Sequence, residues 1–229
     1  MVSADTIRTA VGVLGNIISF CLFMSPTPTF ISIYRTKSVQ DYRPDPYIVT
    51  MMNCATWAFY GMPLVTDHNI LVLTINAFGL VVETLYTLVF VIYSPWNKRR
   101  RILLIVLAEV IFLALLVFIV LFFFHEIKQR KLIVGIVALV FNILMYFSPL
   151  TVMKRVIQTK SVKYMPLLLS VAGVANSLIW TSYAFLKWDP FVAIPNSLGA
   201  VSGLTQLVLY CIYYKTTNWD EESPQHGSL

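Results

Sequence analysis

The sequence has very little charge for its length. Only 12% of its 229 residues are Asp, Glu, Lys or Arg, whereas a soluble domain carries about 25%. Hydrophobic residues make up 58% of the chain, and they occur in long blocks. The shortage of charge therefore excludes a soluble globular domain, and the long blocks predict an all-α membrane protein.

Cysteine and histidine are also scarce, with three of each. Cys21, Cys54 and Cys211 all fall inside apolar blocks, which predicts buried thiols and no disulfide framework. The sequence has no cluster of His, Cys and carboxylate residues that would supply a nucleophile, a general base or a metal site. We therefore expect a protein that is not an enzyme and that uses neither a cofactor nor a metal.

Seven apolar blocks are long enough to cross a bilayer, which takes roughly 20 residues per helix. These blocks are 9–34, 46–66, 70–93, 102–124, 132–153, 164–186 and 190–214. Glu83 and Glu109 are the only formally charged residues inside them. Seven spans occupy nearly the whole chain and leave a polar tail, 215–229.

Positive charge is divided unevenly between the two sides of the predicted membrane. Of the 17 Lys and Arg residues, 12 fall on one set of loops with the tail and 5 on the other side. The positive-inside rule then predicts an extracellular N-terminus and a cytosolic C-terminus. The net charge of +6 is therefore an orientation signal on a lipid-embedded chain, and we expect no nucleic-acid partner.

The sequence repeats itself at a spacing of 120 to 123 residues. Pro26, Trp57 and Asn76 recur as Pro149, Trp180 and Asn196. A three-span unit that occurs twice in the same orientation requires one extra crossing, and 102–124 has no counterpart elsewhere. We predict two parallel three-helix repeats, 1–94 and 132–214, that are joined by a linker helix within 95–131 and hold a site between them.

Several short motifs, in order along the seven spans, carry a family resemblance. They include Gly15-Asn16-Ile17, Ser25-Pro26-Thr27-Pro28, Thr36-Lys37-Ser38, Asn76-Ala77-Phe78-Gly79, Ser148-Pro149-Leu150, Met165-Pro166 and Pro195-Asn196-Ser197-Leu198-Gly199. Over residues 7–215 the chain resembles the SWEET (MtN3/saliva-type) family of sugar facilitators. The resemblance implies energy-independent, bidirectional movement of mono- or disaccharides by alternating access.

The resemblance also implies a sugar site that contains Asn76 and Asn196. An amide offers both donors and acceptors to sugar hydroxyls, although an interhelical hydrogen bond is the ordinary role of a membrane asparagine. Trp57 and Trp180 lie at a similar depth, away from the interface. The family stacks such aromatic rings on the sugar; plain aromatic packing is the alternative.

Further residues are predicted to form the walls of this pocket. Asn53 and Asn176 each lie four residues before a tryptophan, on the same helix face. The other candidates are Ser19, Leu22, Asn142 and Met145. Packing between helices is the alternative for each of them. Because several of these side chains are bulky, we expect a hexose such as glucose, with a sucrose transporter as the alternative.

The resemblance also implies that four prolines, Pro26, Pro46, Pro149 and Pro166, form a set beside a cytosolic gate and act as hinges. Proline inside a helix removes a hydrogen bond and favours a kink, whereas Pro46 and Pro166 also suit ordinary helix starts. Packing irregularities are the alternative to hinges. The positions that match the family's extracellular gate are Tyr60 and Asp189.

Other seven-helix functions fit the sequence less well. A proton-coupled amino-acid exporter uses acids beside its proline motif, but Ser25-Pro26 and Ser148-Pro149 have none nearby. Glu83 lacks a counterpart in the second repeat, so we expect it to make a structural hydrogen bond, with a proton relay as the alternative. The short loops are not typical of a seven-helix receptor. A retinal protein would need a lysine in the middle of the last span, whereas Lys215 lies at its end. We expect the protein to act in the plasma membrane, with a vacuolar or other internal membrane as the alternative. The formation of homo-oligomers is left open.

Overall fold

The structure, a computed structural model, describes residues 3–145, 147–163, 165–217 and 219. These residues form helices and connecting loops, with no β-strand among them. The helices are α1 Ala4–Met24, α2 Thr27–Thr36, α3 Asp45–Gly61, α4 Ile70–Tyr93, α5 Trp96–Phe123, α6 Ile127–Met145, α7 Phe147–Thr159, α8 Leu167–Leu186 and α9 Pro190–Tyr213. The predicted all-α class is confirmed.

Within the part of the chain that the structure describes, six helical stretches are long and apolar enough to cross a membrane. They are Ala4–Thr36, Ile70–Tyr93, Trp96–Phe123, Ile127–Thr159, Leu167–Leu186 and Pro190–Tyr213. The remaining span is α3, with 17 residues. Its length is about 26 Å at 1.5 Å per residue, slightly less than the roughly 30 Å hydrocarbon core.

The first predicted span is not one continuous helix. The apolar block 9–34 is divided where α1 ends at Met24 and α2 begins at Thr27. Pro26 is the N-cap of α2, and it has no N–H to continue the ladder of α1. The block therefore contains a break at its proline, on the side predicted to face the cytosol.

Polar side chains replace the hydrogen bonds that are lost at this break. The Tyr86 hydroxyl donates to the Phe23 carbonyl at 3.2 Å. The Thr27 hydroxyl donates to the Met24 carbonyl at 2.6 Å and lies 3.0 Å from the Tyr86 hydroxyl. Tyr86 of α4 thus stabilises the broken segment, since buried carbonyls require a partner.

The helix α3 ends earlier than its apolar block. The block continues to residue 66, but α3 ends at Gly61 and Met62 is extended, with ψ 143°. Pro63 follows, and a residue before proline disfavours the helical conformation. The connection to α4 is therefore longer than the predicted three residues.

Two other helices begin before their apolar blocks, which start at 102 and 132. Basic residues populate these first turns, and long cationic side chains reach the interface from a helix end. As a result, α5 begins at Trp96 and α6 at Ile127. The predicted start of the sixth span, Tyr164, and most of the tail, 218 and 220–229, lie outside the described residues.

The chain divides into two compact units. The unit called central here is Phe23–Ala138, and the unit called terminal comprises the residues up to Leu22 and from Leu139 onward. The repeat boundaries 1–94, 95–131 and 132–214 stay a prediction from the sequence. The N-terminal helix α1 contributes almost all of its length to the terminal unit.

In the central unit, α3 packs on α4, and both contact α5. An aromatic cluster lies among α2, α3 and α4, where the Phe30 and Tyr86 rings stack with centroids 3.9 Å apart. Tyr47 and Phe90 pack edge-on against Phe30. In the terminal unit, α9 packs against α7 and α8.

Candidate functional site

One face of α1 is buried in the terminal unit. Its buried residues are Arg8, Gly12, Gly15 and Ser19, which lie on one side of a helix by their spacing. A side chain added at Gly15 would place its Cβ 3.0 Å from Trp180 Cε2 and 3.2 Å from Ile179 Cγ2. Gly15 therefore permits a close approach between α1 and the indole of α8.

Ser19 joins two of the predicted site residues. Its hydroxyl donates to Asn176 Oδ1 at 2.6 Å, and it accepts a hydrogen bond from Trp180 Nε1 at 3.1 Å. Ser19 and Trp180 are 7% and 6% exposed. One hydroxyl group thus satisfies both an amide oxygen and an indole N–H in a buried place.

The corresponding pair in the central unit has no such hydroxyl. Trp57 is 4% exposed; its Nε1 and the Asn53 Oδ1 are buried, with no hydrogen-bond partner among the described residues. The orientation of each tryptophan ring toward the tyrosine three residues later is nevertheless nearly the same in the two units. Trp57 meets Tyr60 at 5.3 Å and 76°, and Trp180 meets Tyr183 at 5.2 Å and 72°.

Asn76 of the central unit and Asn196 of the terminal unit also have matching geometries. Asn76 Nδ2 donates to the Val72 carbonyl at 2.9 Å, and Asn196 Nδ2 donates to the Val192 carbonyl at 2.8 Å. Each bond stays within its own helix, and each side chain is half-buried. The amide oxygen and the second N–H of each asparagine are thus available to hydroxyl groups.

The other predicted wall residues lie in the terminal unit. Leu22 is near the end of α1, and Asn142 and Met145 are in the last turns of α6. All three are half-buried. Their contact with a sugar stays a prediction.

The predicted hinge prolines all lie at or near helix starts. Pro26 and Pro166 are the N-caps of α2 and α8, and Pro46 is in the first turn of α3. Pro149 lies in the first turn of α7, while the side chain of Ser148 before it is outside the described residues. Their role as hinges stays a prediction.

The predicted extracellular-gate residues are both buried. Tyr60 is fully buried, and its carbonyl accepts a hydrogen bond of 2.6 Å from the Thr66 hydroxyl. Asp189 is the N-cap of α9, and its N–H donates to the Ala184 carbonyl at 2.9 Å. Their function as a gate stays a prediction.

The sequence reasoning missed the role of Arg8. Arg8 is one of the five cations on the side predicted to be extracellular, yet it is only 6% exposed. Its guanidinium lies 4.0 Å from the centre of the Tyr183 ring, and its Nε donates to the Tyr183 carbonyl at 3.3 Å. The four-residue step from Arg8 to Gly12 was the signal, because it places Arg8 on the buried face of α1.

Glu83 is buried in α4 at 4% exposure. Its Oε2 has no hydrogen-bond partner among the described residues, nor does the Thr87 hydroxyl one turn later. The structural hydrogen bond that we predicted for Glu83 is therefore absent at Oε2. At the matching position of the second repeat stands Gly203, which faces Val174 closely.

Comparison with known proteins decides the family. A family model described as "Sugar efflux transporter for intercellular exchange" matches residues 9–98 and 132–218. The chain belongs to the SWEET family of sugar transporters. Membership confirms that it is a multi-pass membrane transporter and not an enzyme.

Individual SWEET proteins are similar along nearly the whole chain. Bidirectional sugar transporter SWEET5 of Arabidopsis thaliana is 49% identical over 222 residues, which is 97% of this chain and 92% of that protein. Bidirectional sugar transporter SWEET7b of Oryza sativa subsp. indica is 50% identical over 217 residues, covering 95% and 82%.

A solved structure extends the similarity to the fold. The 3.7 Å structure of a eukaryotic SWEET transporter matches with a TM-score of 0.89 and 35% identity, covering 93% of this chain and 99% of that one. The predicted architecture, two three-helix repeats with a linker helix, is thereby confirmed.

Proposed function

We propose that this SWEET protein carries hexoses, glucose or a close relative, down their gradient in both directions by alternating access. The observation that carries the proposal is the duplicated set of sugar-suited groups. Each unit contains one half-buried asparagine amide, Asn76 or Asn196, and one buried indole, Trp57 or Trp180. Amides suit sugar hydroxyls, and an indole face suits the C–H face of a pyranose.

The preference for a hexose rests on the size of the groups around the indoles. The edge of Trp180 is occupied by Ser19 and Asn176, which are hydrogen-bonded to each other at 2.6 Å. Asn53 has the same position relative to Trp57. Asn142 and Met145 are the other bulky residues predicted for the pocket wall. A second sugar ring needs space that such side chains fill, so steric exclusion disfavours sucrose.

The proposal that transport is not coupled to protons rests on the positions of the acids within the spans. Glu83 and Glu109 both lie in the central unit, on α4 and α5. The second repeat has Gly203 where the first has Glu83. Relatives are named bidirectional sugar transporters, which supports a uniporter for this chain also.

The orientation follows from the loop charges and belongs to the same proposal. The N-terminus is extracellular and the C-terminus is cytosolic, with the plasma membrane as the site of action. Homo-oligomer formation stays a prediction.

The test compares radiolabelled glucose and sucrose in cells that lack sugar uptake, with matched surface expression. We expect robust glucose entry and exit, unaffected by a protonophore, and little sucrose transport. The double variant Asn53→Ser with Asn176→Ser is expected to gain sucrose transport. Robust sucrose transport by the unmodified chain would contradict the hexose preference, and protonophore-sensitive accumulation would favour a proton-coupled carrier.

A further inference from the structure

The connection between α7 and α8 is fastened to the segment that follows α9. The Val162 N–H donates to the Thr217 hydroxyl oxygen at 2.9 Å, and the Thr217 hydroxyl donates in turn to the Tyr213 carbonyl at 2.8 Å. The Thr216 hydroxyl lies 2.7 Å from the Lys160 carbonyl, nearer than its other acceptor, the Tyr213 carbonyl at 3.0 Å. Two consecutive threonines thus hold the backbone of the connection. Their hydrogen bonds to Lys160 and Val162 are called the clasp here.

The centre of the clasp is buried. Thr217 is 8% exposed and Val162 is 1% exposed. Val162 forms an apolar cluster with Val156 and Met165, and Tyr213 of α9 packs against that cluster. A buried peptide N–H that lost its acceptor would stay unsatisfied. The Thr217 hydroxyl therefore holds the connection in place together with the apolar packing.

The fastened connection lies between two of the predicted hinge prolines. Pro149 is in the first turn of α7, and Pro166 is the N-cap of α8. A segment between two hinges transmits movement only if it is itself held, because otherwise a bend at one hinge is taken up at the other. The clasp provides this attachment, since it joins the connection to the end of α9, which packs against both α7 and α8.

The central unit holds its own copy of this connection in a different way. Lys37 and Lys160 both have left-handed backbones, with φ of 54° and 50°, and Val39 is buried like Val162. In the central unit, however, the exposed ammonium group of Lys37 donates to the Tyr93 hydroxyl at 3.4 Å. A side chain in contact with solvent holds the central connection, whereas buried bonds to the backbone hold the terminal one.

We propose that Thr216 and Thr217 are positioning residues for transport, because the clasp keeps the α7–α8 connection attached to α9 throughout the cycle. The two hinges then bend α7 and α8 about a common anchor. The inference rests on the proposed function, since it concerns the movement by which the sugar is carried. Neither threonine belongs to the predicted pocket. Loss of the clasp therefore slows the exchange between the two open states and leaves the sugar-binding groups in place.

The first experiment compares exchange with binding in the full-length protein, reconstituted in proteoliposomes. Thr217→Val keeps the shape of the side chain but leaves the buried Val162 N–H without its acceptor. One net hydrogen bond corresponds to about a fivefold change in an equilibrium. We expect glucose counterflow for each glucose-binding site to slow about fivefold, while equilibrium glucose binding stays unchanged. Thr217→Ser, which retains the hydroxyl, is expected to exchange at the wild-type rate.

Two matched controls distinguish the clasp from a general effect of removing hydroxyl groups. Thr216→Val removes the exposed part of the clasp, where water replaces the hydroxyl, so a smaller slowing is expected. Ser94→Ala removes a buried hydroxyl just after α4 that has no hydrogen-bond partner among the described residues. It is expected to exchange at the wild-type rate. Normalisation to glucose-binding sites removes any contribution from unfolded protein.

The second experiment tests whether the clasp stays closed. Lys160→Cys and Thr216→Cys are combined in a chain whose native cysteines are replaced by alanine, and a short bifunctional thiol reagent joins the pair. A clasp that lasts through the cycle predicts that the joined protein exchanges glucose as fast as the same protein before treatment. The two single-cysteine variants, treated with the same reagent, control for modification alone.

The results separate the clasp from the proposed function. If the unmodified protein carries no glucose, the proposed function is wrong. If it carries glucose, the clasp is overturned by wild-type exchange in Thr217→Val, by an equal fall in binding and exchange, by slow exchange in Thr217→Ser, or by loss of exchange on cross-linking. Slow exchange with unchanged binding in Thr217→Val, together with full exchange after cross-linking, supports the clasp.

Discussion

At the scale of single residues, the side chains of Asn76 and Asn196 are each hydrogen-bonded to the backbone of their own helix. The amide of Asn76 donates to Val72, and that of Asn196 donates to Val192, each four residues earlier. Such a bond orients the side chain without consuming its oxygen. The asparagines are therefore positioned before any ligand arrives, which lowers the entropy lost on binding.

Replacing either asparagine by alanine is expected to reduce glucose transport at least tenfold. Sugar hydroxyls would lose partners in a dehydrated place, at about 1–3 kcal/mol for each unsatisfied group. The measurement is initial uptake of radiolabelled glucose by Asn76→Ala and Asn196→Ala, normalised to surface protein. Thr205→Ala is the control, since Thr205 makes the same kind of bond on the exposed side of α9, to Val201 at 2.9 Å. Wild-type rates in both asparagine variants would remove them from the site.

Gly15→Ala is expected to lower thermal stability and to slow transport several-fold. The new methyl group would press on Trp180 Cε2 at 3.0 Å, and the rigid indole has little room to yield because the core is packed. Unfolding in detergent, followed by fluorescence-detected size exclusion, gives the stability change. Gly173→Ala on α8 is the control, because nothing lies within 4 Å of its added Cβ. An unchanged melting temperature for Gly15→Ala would mean that α1 can move away from α8 at no cost.

Sequence patterns show which face of a helix a residue lies on more readily than they show which residue of another helix it contacts. The four-residue spacing correctly put Asn176 on the face of Trp180, but it says nothing about α1. Ser19 is 157 positions away from Asn176, and only the packing of α1 on α8 brings them together. The same limit applies to Arg8, whose partner Tyr183 lies 175 positions away.

At the scale of helices, the break between α1 and α2 is stabilised by its own side-chain hydrogen bonds. Proline removes one hydrogen bond of the ladder, and the Tyr86 and Thr27 hydroxyls satisfy carbonyls beside it. A kink with its own polar partners bends without exposing unsatisfied groups. Such a segment suits a hinge, because alternative bends cost little.

Replacing Pro26 by alanine is expected to join α1 and α2 and to slow the exchange between inward- and outward-open states. The restored N–H would add back a helical hydrogen bond and favour one straight conformation. Counterflow rates and equilibrium glucose binding are measured for Pro26→Ala and Pro149→Ala. Turnover is expected to fall while binding persists.

The control for this pair is Pro190→Ala, since Pro190 is the first residue of α9, where a proline costs the helix nothing. It is expected to exchange at the wild-type rate. Unchanged counterflow in both Pro26→Ala and Pro149→Ala would reduce these prolines to packing elements.

Apolar blocks gave the number of spans and several of their limits. The predicted block 70–93 matches α4, because Asn69 and Ser94 are polar residues at its two ends. The end of α3 was misjudged, since Met62 and Val65 prolong the apolar pattern after the helix has stopped. A hydropathy pattern records contact with lipid or core, whereas a helix end depends on the backbone, and here on Pro63.

At the scale of the whole molecule, the repeats are matched in their neutral polar groups and unmatched in their acids. The asparagines and tryptophans occur twice, but Glu83 occurs once. Alternating access in two similar halves requires no acid. A proton-driven cycle would need a group whose protonation changes between states and thereby favours one of them.

Glu83→Gln is therefore expected to leave the pH dependence of glucose exchange unchanged. Glutamine keeps the shape of the side chain while removing its ability to bind and release a proton. Exchange is measured from pH 5 to pH 8, with Glu109→Gln as the control acid on α5. A flattened pH profile in Glu83→Gln alone would reveal coupling to protons.

The burial of Arg8 sets a condition on how the protein is made. Its partner Tyr183 lies 175 residues later in the chain, and a ribosome that adds about 5–20 residues per second needs roughly 10–35 seconds to reach it. During that time α1 is already in the membrane, with an arginine and a stripe of small residues facing lipid or other proteins. Arg8 stands just before the apolar block 9–34, where a long cationic side chain reaches the interface, so it is mainly the small-residue face of α1 that lacks its partner in this period. The first helix to be inserted is thus among the last to find its place, and the nascent chain has to be shielded until α8 emerges.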